Sequence, residues 1–188
     1  MKASTKKSTR ATILDAALGV MAQNPGASLA EVAAEAGVGR TTLYRYFSTR
    51  EALVAELALT AFEEMSAAVL PVYEQSLGGR AALEKIIEAL APLGDRFHFL
   101  WSEVNIYHDE TVATSYTDML SKLHRLIDAA KAEGAIAPDI SSAWAIAAMD
   151  SLIWAAWVTV KQGYLGHREA PALVIRSLFQ GLAPGSNG

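Results

Sequence analysis

Apolar positions along this chain recur at helical spacing. Leu29, Val32, Ala33 and Ala36 stand at i, i+3, i+4 and i+7, one face of a short helix. Ser28 followed by Glu31 is a capping box that starts it. Gly37 can take the left-handed conformation that ends it, with Val38 placed to plug the corner. A second short helix is predicted over about 40–47. Its inner face carries Leu43, Tyr46 and Phe47 and its outer face Thr41, Tyr44 and Arg45, with Arg40 at the border and at the start. Two such helices across a tight turn form a helix-turn-helix, whose second helix fits the DNA major groove.

The same spacing predicts helices over about 9–23, 50–73, 80–90, 95–107, 110–133, 141–164 and 168–181. The breaks between them fall at Asn24, Pro25 and Gly26, at Gly78 and Gly79, at Pro92 and Gly94, at Gly134, at Pro138 and at Gly166. Pro71 is expected to kink or end the helix that starts near Arg50. There is no strand-like alternation or internal repeat. The expected fold is all-α with about nine helices. A three-helix helix-turn-helix DNA-binding domain with a basic arm occupies 1–49, and a helical ligand-binding and dimerisation domain occupies 50–188.

Charge sharpens this picture. The net charge is −4, which alone argues against a nucleic-acid partner. Its distribution reverses the argument, because residues 1–50 sum to +4 and residues 51–188 to −8. A basic end on an acidic body turns that end toward phosphate. The arm carries Lys2, Lys6, Lys7 and Arg10 without an acid, which suits the DNA backbone or minor groove, or a solubilising tail. On the reading helix, Arg40 is the candidate base contact, since a guanidinium can bond both acceptors of guanine. Thr41 can reach a base edge or a thymine methyl. Thr42, Tyr44, Arg45 and Tyr46 suit phosphates, as does Arg50 at the next helix start, which Ser48 or Thr49 can cap. Ser28 completes the expected DNA-facing set.

At these residues the chain resembles the TetR family of ligand-controlled transcriptional repressors. The resemblance is carried by Leu29, Val32, Ala33, Ala36, Gly37 and Val38, then Thr42 through Phe47, then Arg50, Glu51 and Leu53. It extends back through Ile13, Ala16, Ala17 and Met21 and covers about the first quarter of the chain. The family usually has His where this chain has Tyr46 and often Lys where it has Arg50; both replacements can reach a phosphate. The resemblance implies an all-helical homodimer on a palindromic double-stranded DNA operator, released by a small-molecule effector in the larger domain.

Apolar residues make up 52% of the 188 residues, and the mean hydropathy of +0.20 is high for a soluble protein, which suggests apolar surface covered in an oligomer or a ligand cavity. The helices over 141–164 and 168–181 are apolar on more than one face, so they are the expected dimer interface, with Leu173, Val174, Leu178 and Phe179 supplying partner surface. Alanines 143, 147, 148, 155 and 156 allow close helix approach. Aromatics cluster in two segments, and Phe97, Trp101, Tyr107, Asp150, Trp154 and Trp157 are the expected ligand-binding residues. Ala147, Asp150, Trp154, Trp157 and Lys161 share one stripe, where an acid beside two indoles can hold a cationic, flat or amphipathic molecule, or can simply pack.

No cofactor or metal is expected. There is no cysteine, which fits a reducing cytoplasm, the expected location. His108, Asp109 and Glu110 are adjacent and do not share a helix face, so a solvated helix start is the better account. Neither a phosphate-binding glycine loop nor a nucleophile-elbow pattern occurs, so no enzyme is expected. The stretch 143–160 is of membrane length, but Asp150, Ser151 and Thr159 interrupt it and no basic cluster flanks it, so an interface helix is expected there rather than a membrane span. The alternatives are a helix-turn-helix protein without a ligand switch, and an activator.

Overall fold

The computed structural model describes residues 8–94 and 108–182. They form α1 (Thr9–Met21), α2 (Leu29–Glu35), α3 (Arg40–Tyr46), α4 (Arg50–Tyr73), α5 (Gly79–Leu90), a 3-10 turn (Ala91–Leu93), α6 (Glu110–Ala132), α7 (Ser142–Lys161) and α8 (Ala170–Leu182), with no strand among the described residues. The helix expected over 95–107, the lysines of the N-terminal arm and the C-terminal residues 183–188 lie outside the described residues. The chain divides into two compact units, 1–61 with 98–113 and 62–97 with 114–188. The break falls inside α4, later than the domain boundary expected at residue 49, where that helix begins.

The first unit is built by local signals. Ser28 and Glu31 close a reciprocal cap: the Ser28 N–H donates to Glu31 Oε2 at 2.8 Å and the Glu31 N–H to Ser28 Oγ at 3.3 Å. Gly37 adopts φ +66°, which lets the Val38 N–H reach the Ala33 carbonyl at 3.0 Å and the Gly37 N–H the Ala34 carbonyl at 3.1 Å. This is the Schellman end of α2, and it sets the turn into α3. Ile13, Ala17 and Met21 of α1 are buried in the first unit, as are Leu29, Val32, Leu43, Phe47, Leu53 and Leu57. Thr49 Oγ1 accepts the Ala52 N–H at 3.1 Å and caps α4.

Packing in the second unit joins distant segments. Glu133, just past α6, accepts the N–H groups of Gly79 at 2.6 Å and Arg80 at 3.0 Å, so a carboxylate from elsewhere in the chain caps α5. Those bonds hold the Glu133 carboxyl below the usual carboxylate range. The approach requires glycine at 79, where a Cβ would lie 2.2 Å from the Ala130 nitrogen. Helix α7 packs on α8, α5 and the 3-10 turn, and α5 also packs on α8. Pro71 lies inside α4, which continues to Tyr73. By length and composition alone α7 could cross a membrane, its mean hydropathy reaching 1.5. Its inner face, Ala145, Ile146, Met149, Ile153 and Ala156, is spent on the protein core.

Candidate nucleic-acid interface and effector pocket

Helix α3 presents Arg40, Thr41, Tyr44 and Arg45 to solvent, with Thr42 half-buried. Leu43 is fully buried beneath them and fixes which face looks out. The Arg45 guanidinium lies 5.5 Å from the centroid of the Tyr46 ring, so the cation and the phenol are held together at the C-terminal end of the helix. Tyr46 is 39% exposed and therefore not on the inner face as its spacing suggested; Phe47, at 1% exposure, fills that place alone. The reason is that α3 ends at Tyr46, and Phe47 turns inward from extended backbone at φ −134°.

Three residues expected at the DNA face or in the basic arm also serve the fold, Ser28 through the capping box its spacing indicated. Arg50 donates from its guanidinium to the Pro25 carbonyl at 2.5 Å, tying the start of α4 to the loop before α2. Ser28 spends its hydroxyl on Glu31, donating to Oε2 at 2.8 Å, and its backbone N–H first and this hydroxyl second lower the pKa of Glu31. Arg10 is not part of a free basic arm. It pairs with Glu56 and lies 5.8 Å from the centroid of Phe47, so it clamps α1 to α4 over the end of α3.

The candidate effector pocket lies wholly within the second unit and measures about 190 Å³. Helix α4 contributes Met65, Ser66, Ala67, Val69, Leu70 and Tyr73; α5 contributes Ile86 and Leu90; α6 contributes Met119, Lys122 and Leu123; and α7 contributes Asp150. The wall is mostly apolar. No described residue donates a hydrogen bond to the Asp150 carboxyl, which is half-buried by accessible surface yet packed among many protein atoms, and that desolvation pushes its pKa from 3.8 up to about 7. Tyr116 on α6 is raised as well, first by its own burial and then by the charge of Asp150. Lys122 does not neutralise the acid, because its ammonium pairs with Asp118 at 2.6 Å one turn back on α6.

This corrects the expected chamber. Asp150 does face a pocket, but the described wall is built of aliphatics, methionines and Tyr73 rather than of indoles. Trp157 lines a second, more polar pocket of about 480 Å³ with Pro92, Lys161, His167 and Pro171, and the Lys161 ammonium sits 4.9 Å from the centroid of its ring. Trp154 is 42% exposed. Neighbouring positions on a helix wheel are separated here by which helices cover them. Phe97, Trp101 and Tyr107 lie outside the described residues.

The expected interface side chains also need correction. Leu178 and Phe179 are 1% and 4% exposed within a single chain, and Val174 and Ala156 are buried too. They are core residues, and the Arg80 guanidinium lies 4.8 Å from the centroid of Phe179. Leu173 is half-buried. The face of α7 opposite its buried side carries Trp144, Ala147, Ala148, Ser151, Trp154, Ala155 and Val158, all exposed or half-buried and none charged. At the start of α6 the Asp109 carboxylate accepts the N–H groups of Thr111 at 3.0 Å and Val112 at 3.1 Å, so it caps that helix.

Residues 13–57 match the family model for bacterial regulatory proteins of the tetR family. The chain is 30% identical over 182 residues to the HTH-type transcriptional repressor LfrR of Mycolicibacterium smegmatis, covering 97% of this chain and 94% of that protein. The chain belongs to the TetR family. It is a helix-turn-helix, DNA-binding transcriptional regulator. Its fold is similar to the crystal structure of LfrR from Mycobacterium smegmatis in complex with proflavine, at TM-score 0.75 and 28% identity over 94% of this chain and 97% of that one. A TetR family regulator from Marinobacter aquaeolei shares the fold at TM-score 0.73 and 19% identity, over 94% and 96% of the two chains.

Proposed function

We propose that this TetR family regulator is a repressor that binds a palindromic operator as a homodimer and is released by a cationic, amphipathic small molecule held in the Asp150 pocket. The observation that carries the reading is the course of α4. Its first residues follow the reading helix and are capped by Thr49, while its last three turns form one wall of the pocket. A ligand that repositions this helix acts on the DNA-reading unit through an unbroken stretch of backbone. It weakens DNA binding only if it favours the arrangement that DNA does not.

Arg40 reads a base, Thr41 lies at a base edge or thymine methyl, and Thr42, Tyr44, Arg45 and Tyr46 hold phosphates. Arg50 and Ser28 serve this surface by fixing the loop and the helix beneath it. The sign of the effector follows from the two pockets. Asp150 offers an acid in a mostly apolar wall whose Lys122 is paired with Asp118, whereas the second pocket carries the Lys161 ammonium and no acid among its described lining. Proflavine, the molecule bound by the LfrR relative, is a planar aromatic cation at neutral pH, which supports the same class of effector here.

The dimer forms through the uncharged outer face of α7 with Leu173 on α8, pairing two hairpins into a four-helix bundle. The regulator works in the cytoplasm, where its DNA is, and the reading gives it no catalytic role. The test is selection of bound duplexes from a random-sequence pool, followed by addition of proflavine to the purified complex. A two-fold symmetric site that is released by the cation supports the reading. A selected site without two-fold symmetry, or a complex indifferent to cations, overturns it.

A further inference from the structure

Among the described residues, the Asp150 pocket holds one acid, and the cation that lines it, Lys122, is paired with Asp118. Asp150 lies in the middle of α7, where the backbone N–H groups are already used by the helix. The titratable groups that face it are few among the described residues. Helix α4 offers Tyr73, α5 offers none, and α6 offers Tyr116, Lys122, which is spent on Asp118, and Arg125, whose charge with that of Asp118 reaches Tyr73. On α7 itself Lys161 sits over Trp157, in the second pocket. A carboxylate among Met65, Val69, Ile86 and Met119 is poorly solvated, so the empty pocket favours the protonated acid.

We propose that the pocket takes lipophilic monocations in exchange for the proton of Asp150. The empty pocket holds the neutral acid. The filled pocket holds the carboxylate against the ligand's cationic centre, and the carboxyl proton leaves to solvent. This rests on the reading that the pocket receives the effector, and adds that reception is linked to pH. Burial lifts Asp150 to about 7, so below neutrality each cation must displace a proton. Affinity for a permanent cation then rises about tenfold per pH unit up to neutrality and levels off above it. A neutral ligand of the same shape has no charge with which to expel the proton. The regulator therefore answers a fixed concentration of cation more strongly as pH rises from 5.5 toward 7.

The experiment uses the full chain with 10-methylacridinium, a permanent cation, and 10-methylacridone, its neutral counterpart. Affinities are measured by fluorescence between pH 5.5 and 8.5, and proton release by calorimetry in two buffers of different ionisation heat. The expected result is about one proton released per cation at pH 6 and none at pH 8.5, with acridone binding nearly flat in pH. Asp150→Asn should bind the cation more weakly and without the pH slope, which ties the slope to Asp150. Thermal melts confirm that the variant is folded. Tight cation binding that is flat in pH and releases no proton overturns the exchange while leaving the pocket reading intact. A slope that persists in Asp150→Asn likewise overturns it. Binding that survives Met119→Trp, which fills the pocket, places the cation elsewhere and overturns both, as does absence of cation binding at every pH.

Discussion

Replacing Asp150 with asparagine changes the pH dependence of stability by an amount the structure sets. In the unfolded chain the carboxyl titrates at an ordinary 3.8, and in the folded protein burial raises it to about 7. The folded state therefore keeps the proton longer. The cost of ionising Asp150 is absent below about pH 4, grows as pH rises toward 7 and is constant above that. A rise of roughly three pH units corresponds to about 4 kcal/mol at full ionisation, of which about 2–3 kcal/mol accumulates between pH 5 and pH 8. Asparagine has its own cost of burial, but that cost does not vary with pH. The quantity to measure is the difference in unfolding free energy between variant and wild type, at pH 5 and at pH 8, by urea titration at one protein concentration. The variant should gain about 2–3 kcal/mol on wild type over that interval. A gain under about 0.5 kcal/mol, or one of opposite sign, would mean that the carboxylate is solvated or paired, and the buried-acid reasoning would fail.

Other perturbations probe the remaining parts of the account. Arg40→Ala should cost about 1–3 kcal/mol on the cognate operator and little on scrambled DNA; an equal loss on both, by fluorescence anisotropy, would reassign Arg40 to a phosphate. Ala148→Glu or Ala155→Glu on the outer face of α7 should convert the dimer to a folded monomer in sedimentation velocity and abolish operator binding, whereas Leu178→Glu should unfold the chain. A folded monomeric Leu178→Glu protein would contradict its place in the core. Gly79→Ala should destabilise by about 1–3 kcal/mol through the clash with Ala130. A neutral effect on the melting curve would show that α5 and α6 can part at no cost.

What was legible in the sequence was what is decided locally. Ser28 with Glu31, Gly37 and the spacing of Leu29, Val32 and Leu43 each act within a few residues, and the helix-turn-helix follows from them. Helix ends were legible for the same reason, as at Gly134 after α6. Contacts between distant segments were not. Nothing near Glu133 in sequence says that it caps α5, and nothing near Arg10 says that it meets Glu56. Helices apolar all round defeat periodicity, because the wheel cannot say which apolar face meets its own chain. So Leu178 and Phe179 read as partner surface although they are core, while alanines 147, 148 and 155, expected at the interface, do lie on the outer stripe of α7. The wheel likewise placed Asp150 beside Trp154 and Trp157, but the surroundings of the acid depend on where α4, α5 and α6 lie.

The central claim, that filling the Asp150 pocket loosens the grip on DNA, is tested most directly by operator affinity with and without proflavine. The measurement is fluorescence anisotropy of the selected palindromic duplex, made on wild type and on Met119→Trp. Acridines also insert between base pairs, and the variant with the filled pocket isolates that effect. The account predicts that saturating proflavine weakens wild-type binding by about 5–150-fold, a coupling of 1–3 kcal/mol, and barely affects Met119→Trp. Equal weakening in both proteins, or none in wild type with the dye bound, would contradict it.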